Sequence, residues 1–209
     1  DVIDALLPFL TAMCNASLQE GHLPTSQRHA IVTPLLKKAS MDSAESKSYR
    51  PVSNVAFMSK VIERMVVQQL TEYLQLHGLL PEHQSAYRKG HSTETALLCV
   101  ISDILRAADA GQVTLLGLLD LSAAFDTVDH DILLNRLQTA FGIGGVTLAW
   151  LASFLRDRTY EVVFSGLRSS VGRLSCGVPQ GSVLGPLLFL LYTAGLFRIT
   201  TRHGFQAHS

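Results

Sequence analysis

Hydrophobic residues recur at helical spacing in several parts of the chain, and this pattern predicts most of its helices. The helix predicted over residues 61–74 ends before Gly78 and Pro81. Ser92 or Thr93 caps the helix predicted over residues 93–110, and Gly111 ends that helix. The predicted helical segments are residues 2–18, 61–74, 93–110, 128–141 and 148–155, with a last helix from about Pro186.

Shorter apolar runs predict a few strands. Residues 29–36 form one extended candidate, and residues 160–164 and 170–174 form a hairpin through Gly166. Residues 113–121 are continuously apolar but too few for a helix, so they predict a buried strand. These elements together indicate an α+β protein rich in helix.

Composition indicates a folded chain. Its 209 residues are 47% hydrophobic and 16% charged, which suits one ordinary domain or two small ones and excludes a disordered chain. Lys and Arg total 17, as do Asp and Glu, so no global field favours nucleic acid or a membrane. Three cysteines make a disulfide framework or Cys-based zinc site improbable and favour a reducing, intracellular compartment.

No segment predicts export or a membrane anchor. The chain starts with Asp1 rather than a basic region, unlike a secretory signal. Residues 183–197 are apolar but shorter than the ~20 residues of a membrane span, and they predict a buried core element. We expect no membrane partner, while nucleus and cytoplasm both remain open and the oligomeric state is unknown.

Asp120 closes the apolar run and is the first candidate for chemistry. A carboxylate there is costly to bury unless it is paired, and a hard cation such as Mg²⁺ is the usual partner. The alternative is that Asp120 only caps the next turn. Asp126 and Asp129 are predicted to serve as turn and helix-cap residues. Ser122 stands where an Asp-x-Asp phosphatase needs its second carboxylate, and no phosphate-binding GxxxxGK[ST] loop is present.

Two further features suit nucleotide or nucleic-acid contact. The glycine- and proline-rich residues 176–186 let the backbone approach a ligand closely, with Gln180 able to meet a base or sugar. Arg50 precedes a proline and is therefore extended, while Tyr87, Arg88 and Lys89 adjoin a glycine turn. Taken alone, the first could be a simple connector and the others solvated surface loops.

Four strings in this order resemble the reverse transcriptase domain of non-LTR (LINE-type) retrotransposons. They are Tyr49-Arg50-Pro51-Val52-Ser53, residues 84–95, residues 119–126 and residues 177–191. The resemblance implies a right-hand polymerase: helical fingers with the N-terminal helix over residues 1–112, and a palm with a small antiparallel sheet over 113–209. Residues 141–175 would partly return toward the fingers, and the thumb would be absent.

The resemblance also implies RNA-directed DNA synthesis from an RNA template, a DNA primer and dNTPs, in which a primer 3′-hydroxyl attacks with two Mg²⁺ ions, or Mn²⁺, as cofactors. Asp120 and the backbone carbonyl of Leu121 would bind metal, and Phe125 would exclude a ribose 2′-hydroxyl. Gln180, Gly181, Arg50 and Arg88 would bind the nucleotide, and Tyr87 and Lys89 would contact nucleic acid.

One departure bears on activity. The family needs a second carboxylate pair in an aromatic-x-Asp-Asp turn, but no Asp or Glu follows Glu161. One carboxylate cannot hold two metals ~3.5–4 Å apart. We therefore expect the palm to be incomplete and this chain alone to be inactive. A non-catalytic nucleic-acid-binding remnant and a non-functional decayed copy are the alternatives.

Overall fold

A computed structural model describes residues 2–121 and 123–208 and confirms the α+β class. Its helices are α1 (Val2–Glu20), α2 (Phe57–Leu76), α3 (Thr93–Asp109), α4 (His130–Phe141), α5 (Gly145–Leu155), α6 (Gly185–Thr193) and α7 (Gly195–Arg202). Its strands are β1 (His29–Leu36), β2 (Tyr49–Val55), β3 (Arg158–Phe164), β4 (Leu167–Arg168) and β5 (Gly172–Leu174).

Local chemistry fixes several helix ends as predicted. Ser92 and Thr95 form a capping box at the start of α3, in which each side chain accepts from the other's backbone amide. The Asp129 carboxylate accepts from the amide of Ile132 at the start of α4. Gly142 ends that helix in the left-handed conformation at φ 67°.

The sheet joins distant parts of the chain. β1 and β2 form an antiparallel pair, whereas β1 lies parallel to β3, with Ala30 opposite Tyr160. β3 also pairs antiparallel with β4 and β5, which confirms the predicted hairpin. The sheet is therefore mixed rather than only antiparallel, because the crossover between β1 and β3 brings both strands in with the same direction.

The core lies among α2, α4, α5 and α6, where Leu133, Trp150, Phe154 and Leu188 are almost completely buried. α1 packs on α5 through its C-terminal half, and the Trp150 indole Nε1 donates to Ser17 Oγ at 3.0 Å. Buried leucines in α6 confirm the part of the predicted core element, residues 183–197, that lies in α6. Residues 195–197 belong instead to α7, which has no buried residue.

α1 differs from this core because its N-terminal half is exposed. Among the described residues, it is a helix long and apolar enough to cross a membrane by length and composition alone. The core helices of soluble proteins and signal sequences have the same length and composition.

The prediction of a buried strand over residues 113–121 is wrong. These residues form no strand in the structure, and their side chains are exposed, with Val113 at 99% and Leu119 at 94% of full exposure. A strand needs a neighbour to satisfy its backbone groups, and no described strand pairs with this segment. The preceding helix, α3, also has no buried residue, so neither element is covered by another layer.

Candidate functional site

Residues 176–185, here called the Gln180 loop, lie between the segment after residue 122 and strand β2. On one side, the amides of Gly177 and Val178 donate to the carbonyls of Val128 and Phe125, at 2.7 and 2.8 Å. On the other, the amide of Ser53 in β2 donates to the Gln180 carbonyl at 2.8 Å. These bonds fix the loop next to Phe125, so three predicted site residues, Phe125, Gln180 and Gly181, come together.

Two glycines allow this close packing. A Cβ atom on Gly181 would lie 2.6 Å from the Ser53 carbonyl oxygen, and the residue has φ +103°. A Cβ atom on Gly177, at φ +85°, would lie 2.9 Å from backbone atoms of Asp126. Only glycine combines this backbone conformation with so little space. The glycines therefore allow the loop to pack closely on the chain's own backbone, while the predicted close approach to a ligand stays a prediction.

The Gln180 side chain is held by Asp126. Its Nε2 amide donates to both oxygens of the Asp126 carboxylate at 3.1 Å. A carboxylate only accepts hydrogen bonds, so the carboxamide must turn its NH₂ group toward Asp126. The side-chain oxygen of Gln180, Oε1, is then the atom of this carboxamide that can face a ligand. Sequence reasoning assigned Asp126 a turn role, and its amide does donate to Ala123, but the side-chain contact was missed.

A cavity of about 400 Å³ opens beside this pair. Its walls come from β1, β2 and β3 together with the Gln180 loop, and they include Asp126, Arg158, Arg173 and Gln180. Two cations, a carboxylate and a carboxamide give it the polar groups that could orient a charged, hydrogen-bonding ligand.

Arg158 is the cation that the structure places deepest. Its side chain is 2% exposed, its Nη1 donates to the Phe154 carbonyl at 2.9 Å, and its guanidinium stacks on the Phe154 ring. Its Nη2 is buried and has no hydrogen-bond partner. Burial lowers the pKa of Arg158 to about 10, against the opposing effect of the Glu63 charge. Nothing in the sequence marked Arg158, because its burial depends on the pairing of β3 with β1.

Asp120 and Leu121 lie outside this cavity. Both are exposed, on the segment that forms no strand, so the expected burial of Asp120 is wrong. Within residues 2–121 and 123–208, no three His, Cys, Asp or Glu side chains come together to hold a metal ion. Asp120 is thus an exposed carboxylate outside any such group, and the described residues do not form the ligand set that a metal pair requires.

Phe125 is half-buried beside the loop. Its ring lies 5.1 Å from that of Phe189 in α6, a distance typical of packed aromatic pairs. This contact anchors the segment after residue 122 against α6. The Phe125 ring is not among the walls of the cavity, so the structure places it next to the loop rather than facing the cavity.

The basic residues predicted from sequence lie apart from the cavity. Arg50 is exposed on β2, opposite Leu35 of β1, and its extended backbone is as predicted. Arg88 is half-buried, and its Nη1 lies 3.4 Å from the carbonyls of Pro81, Glu82 and Gln84 in its own loop. Tyr87 and Lys89 are exposed on that same loop.

Comparison with known proteins gives the family. The family described as reverse transcriptase (RNA-dependent DNA polymerase) matches residues 36–207. The chain is 33% identical over 185 residues to "Probable RNA-directed DNA polymerase from transposon X-element" of Drosophila melanogaster, covering 88% of this chain and 20% of that protein. It is 30% identical over 193 residues to "RNA-directed DNA polymerase from mobile element jockey" of the same species, covering 92% and 21%.

A third relative is the "Retrovirus-related Pol polyprotein from type-1 retrotransposable element R1" of Bradysia coprophila, 28% identical over 208 residues that cover 96% of this chain and 19% of that protein. The chain spans about a fifth of the length of these curated relatives. These matches are consistent with the order of the motifs in the sequence and with the packing of the Gln180 loop against Phe125. The chain belongs to the reverse transcriptase family, in the form found in non-LTR retrotransposons.

Proposed function

We propose that this chain is the nucleotide-selecting part of an RNA-directed DNA polymerase that extends a DNA primer with dNTPs on an RNA template. The observation that supports this most directly is the Gln180 loop, which two close-packed glycines and three backbone bonds hold beside Phe125 and a polar cavity. The match of residues 36–207 to the reverse transcriptase family supports nucleotide binding as the role of this loop and cavity.

Within this function, the residues divide by position. Gln180 and Gly181 contact the incoming nucleotide from the loop, and Phe125 limits the space next to its sugar. The basic and aromatic residues of β2 and of the loop before α3 contact the triphosphate or the nucleic-acid backbone, through charge and stacking. They are Arg50, Tyr87, Arg88 and Lys89.

Asp120 contributes one metal-binding carboxylate, next to the backbone carbonyl of Leu121. In the complete enzyme Asp120 and Leu121 would help to hold one of two Mg²⁺ or Mn²⁺ ions, and these ions would supply Lewis-acid chemistry. Among the described residues, no group of three or more His, Cys, Asp or Glu side chains that could hold a metal ion forms around Asp120. We therefore propose that this chain alone does not polymerise DNA, and that any activity of the chain alone is nucleotide or nucleic-acid binding.

Primer extension tests both statements. The assay uses an RNA template, a DNA primer, dNTPs and Mg²⁺, with this chain and with the longer polymerase that contains it. We expect no extension by the chain, extension by the longer protein, and loss of at least about a hundredfold in rate for Asp120→Asn. Asp131→Asn, which changes another exposed carboxylate, is the matched control and should retain activity. Extension by the Asp120→Asn protein at the wild-type rate would refute the metal-binding role.

A further inference from the structure

Glu63, in the middle of α2, is a completely buried acidic side chain, with 0% of its surface exposed. A buried carboxylate is costly unless hydrogen bonds or an opposite charge compensate for its lost hydration. Its position is not explained by the apolar stripe of α2, so the carboxylate must be compensated by groups from other parts of the chain.

Those groups belong mainly to the Gln180 loop. The Oε2 oxygen of Glu63 accepts from the backbone amides of Val183 and Leu184, at 2.7 and 3.1 Å. The Oε1 oxygen accepts from the Ser59 hydroxyl, one turn earlier in α2, at 2.8 Å. Hydrogen bonds to an ionised acceptor are about twice as strong as neutral ones. The two amides lie directly before α6, so the negative charge also faces the positive end of that helix.

Arg158 supplies the opposite charge. The Glu63 carboxylate raises the pKa of Arg158, partly countering its lowering by burial. Arg158 also lines the cavity beside Gln180. Glu63 is therefore linked through backbone amides to the loop and through charge to the cavity wall.

Along the chain, the contact with the Glu63 carboxylate lies between two further hydrogen bonds of the loop. Before it, the Ser53 amide holds the Gln180 carbonyl, and after it the Gly185 amide donates to Ser182 Oγ at 2.9 Å. Removing the Glu63 carboxylate would leave the amides of Val183 and Leu184 without their acceptor, and Leu184 is buried. Buried amides without partners favour a conformation in which they reach water, and that conformation would move Gly181 and Gln180.

We propose that Glu63 is a positioning residue for the nucleotide site: its buried carboxylate holds residues 182–184 against α2 and so fixes Gln180 and Gly181 beside the cavity. The proposal rests on the proposed function, because that function makes these two residues contact the nucleotide. It adds a role for a residue that lies in no nucleotide-facing segment of the sequence.

The test uses the isotopically labelled chain with Glu63→Ala, Glu63→Gln and Glu63→Met. Glutamine keeps an oxygen acceptor, whereas methionine fills the space without one, so it serves if the alanine variant does not fold. Glu72→Ala, which removes an exposed carboxylate from the same helix, is the matched control. Amide hydrogen exchange at Val183 and Leu184 and the NMR signals of Gly181 and Gln180 report the loop, and titration with dTTP and Mg²⁺ reports the nucleotide site.

We expect exchange at Val183 and Leu184 to accelerate at least about tenfold in the alanine and methionine variants, since each amide loses a charged acceptor. The Gly181 and Gln180 signals should shift, and affinity for dTTP should fall at least about tenfold. The glutamine variant should stay close to the wild type in amide exchange, NMR signals and dTTP affinity. Glu72→Ala should change none of the three.

Each other outcome has a defined meaning. Unchanged exchange at Val183 and Leu184 would overturn the contact itself. Faster exchange with unchanged Gly181 and Gln180 signals would overturn the positioning role, whether or not dTTP binds. Altered signals in the variants, together with no dTTP binding by the wild-type chain, would support Glu63 as the residue that positions the loop and would refute nucleotide binding by this chain.

Discussion

Replacing Gly181 with alanine should destabilise this chain more than the same replacement at an open glycine. Gly181 has φ +103°, and a Cβ atom there would lie 2.6 Å from the Ser53 carbonyl oxygen. Gly90 is the matched control, because it has φ +79° but no heavy atom within 4 Å of the added Cβ. Both variants impose an unfavourable backbone conformation on alanine, but only one forces two backbone segments apart.

The Gly90 control separates the cost of the backbone conformation from the cost of the close contact. An alanine held at such a positive φ costs of order 1–3 kcal/mol, and this applies to both positions. Forcing an extra methyl group into a packed site adds typically 1–3 kcal/mol. The obstructing atom belongs to the backbone of β2, so it cannot move aside by a side-chain rotation. We therefore expect Gly181→Ala to cost about 1–3 kcal/mol more than Gly90→Ala.

Urea unfolding followed by circular dichroism measures this difference in the free energy of unfolding. Thermal unfolding should agree, with about 2–4 °C of Tm for each 1 kcal/mol in a chain of this size. Amide exchange at Ser53 gives a local check, because that amide donates to Gln180 and should become less protected in Gly181→Ala alone. Equal losses of stability in the two variants would refute the close approach of the Gln180 loop to β2.

Three further replacements test the core, a helix end and the held carboxamide. Leu133→Ala should cost about 2–5 kcal/mol in urea unfolding because the side chain is completely buried, whereas Leu98→Ala, at an exposed position of α3, should change stability by less than about 0.5 kcal/mol. Ser92→Ala should cost about 1 kcal/mol by removing the cap of α3, and Ser92→Asp should restore it; equal stability of both variants would refute the cap. Asp126→Ala should increase the mobility of the Gln180 side-chain amide in NMR relaxation, while Asp126→Asn, which keeps an accepting oxygen, should not; unchanged mobility in the alanine variant would refute the contact.

Much of the fold could be predicted because its signals are local. Helical periodicity gave α2, and short polar side chains at Ser92 and Asp129 marked helix starts that the structure confirms. Gly166 between two extended runs indicated the β3–β4 turn. Each of these features depends on residues within a few positions of one another, so the sequence contains the whole cause.

The failed predictions concern partners far away in the chain. An apolar run such as residues 113–121 favours burial, but a strand forms only where another strand and a covering layer meet it, and no described strand does so here. The parallel pairing of β1 with β3 was not predicted for the same reason, because its two strands are far apart in sequence.

The same distinction between local signals and distant contacts applies to the candidate site. The family resemblance predicts Gln180, Gly181 and Phe125 as site residues, because they lie in strings that can be recognised in the sequence, and the structure places these three residues near one another. The contacts of Asp126 with Gln180 and of Glu63 with Val183 join residues separated by 54 and 120 positions.

By itself, then, the sequence determined the helices, the turns and the family, since these depend on local spacing and motif order. Only the tertiary structure decided which charges are buried: Glu63 and Arg158 are enclosed, while Asp120 is exposed. Burial of a charge depends on compensating groups that packing brings from distant segments, and no local pattern records which groups those are.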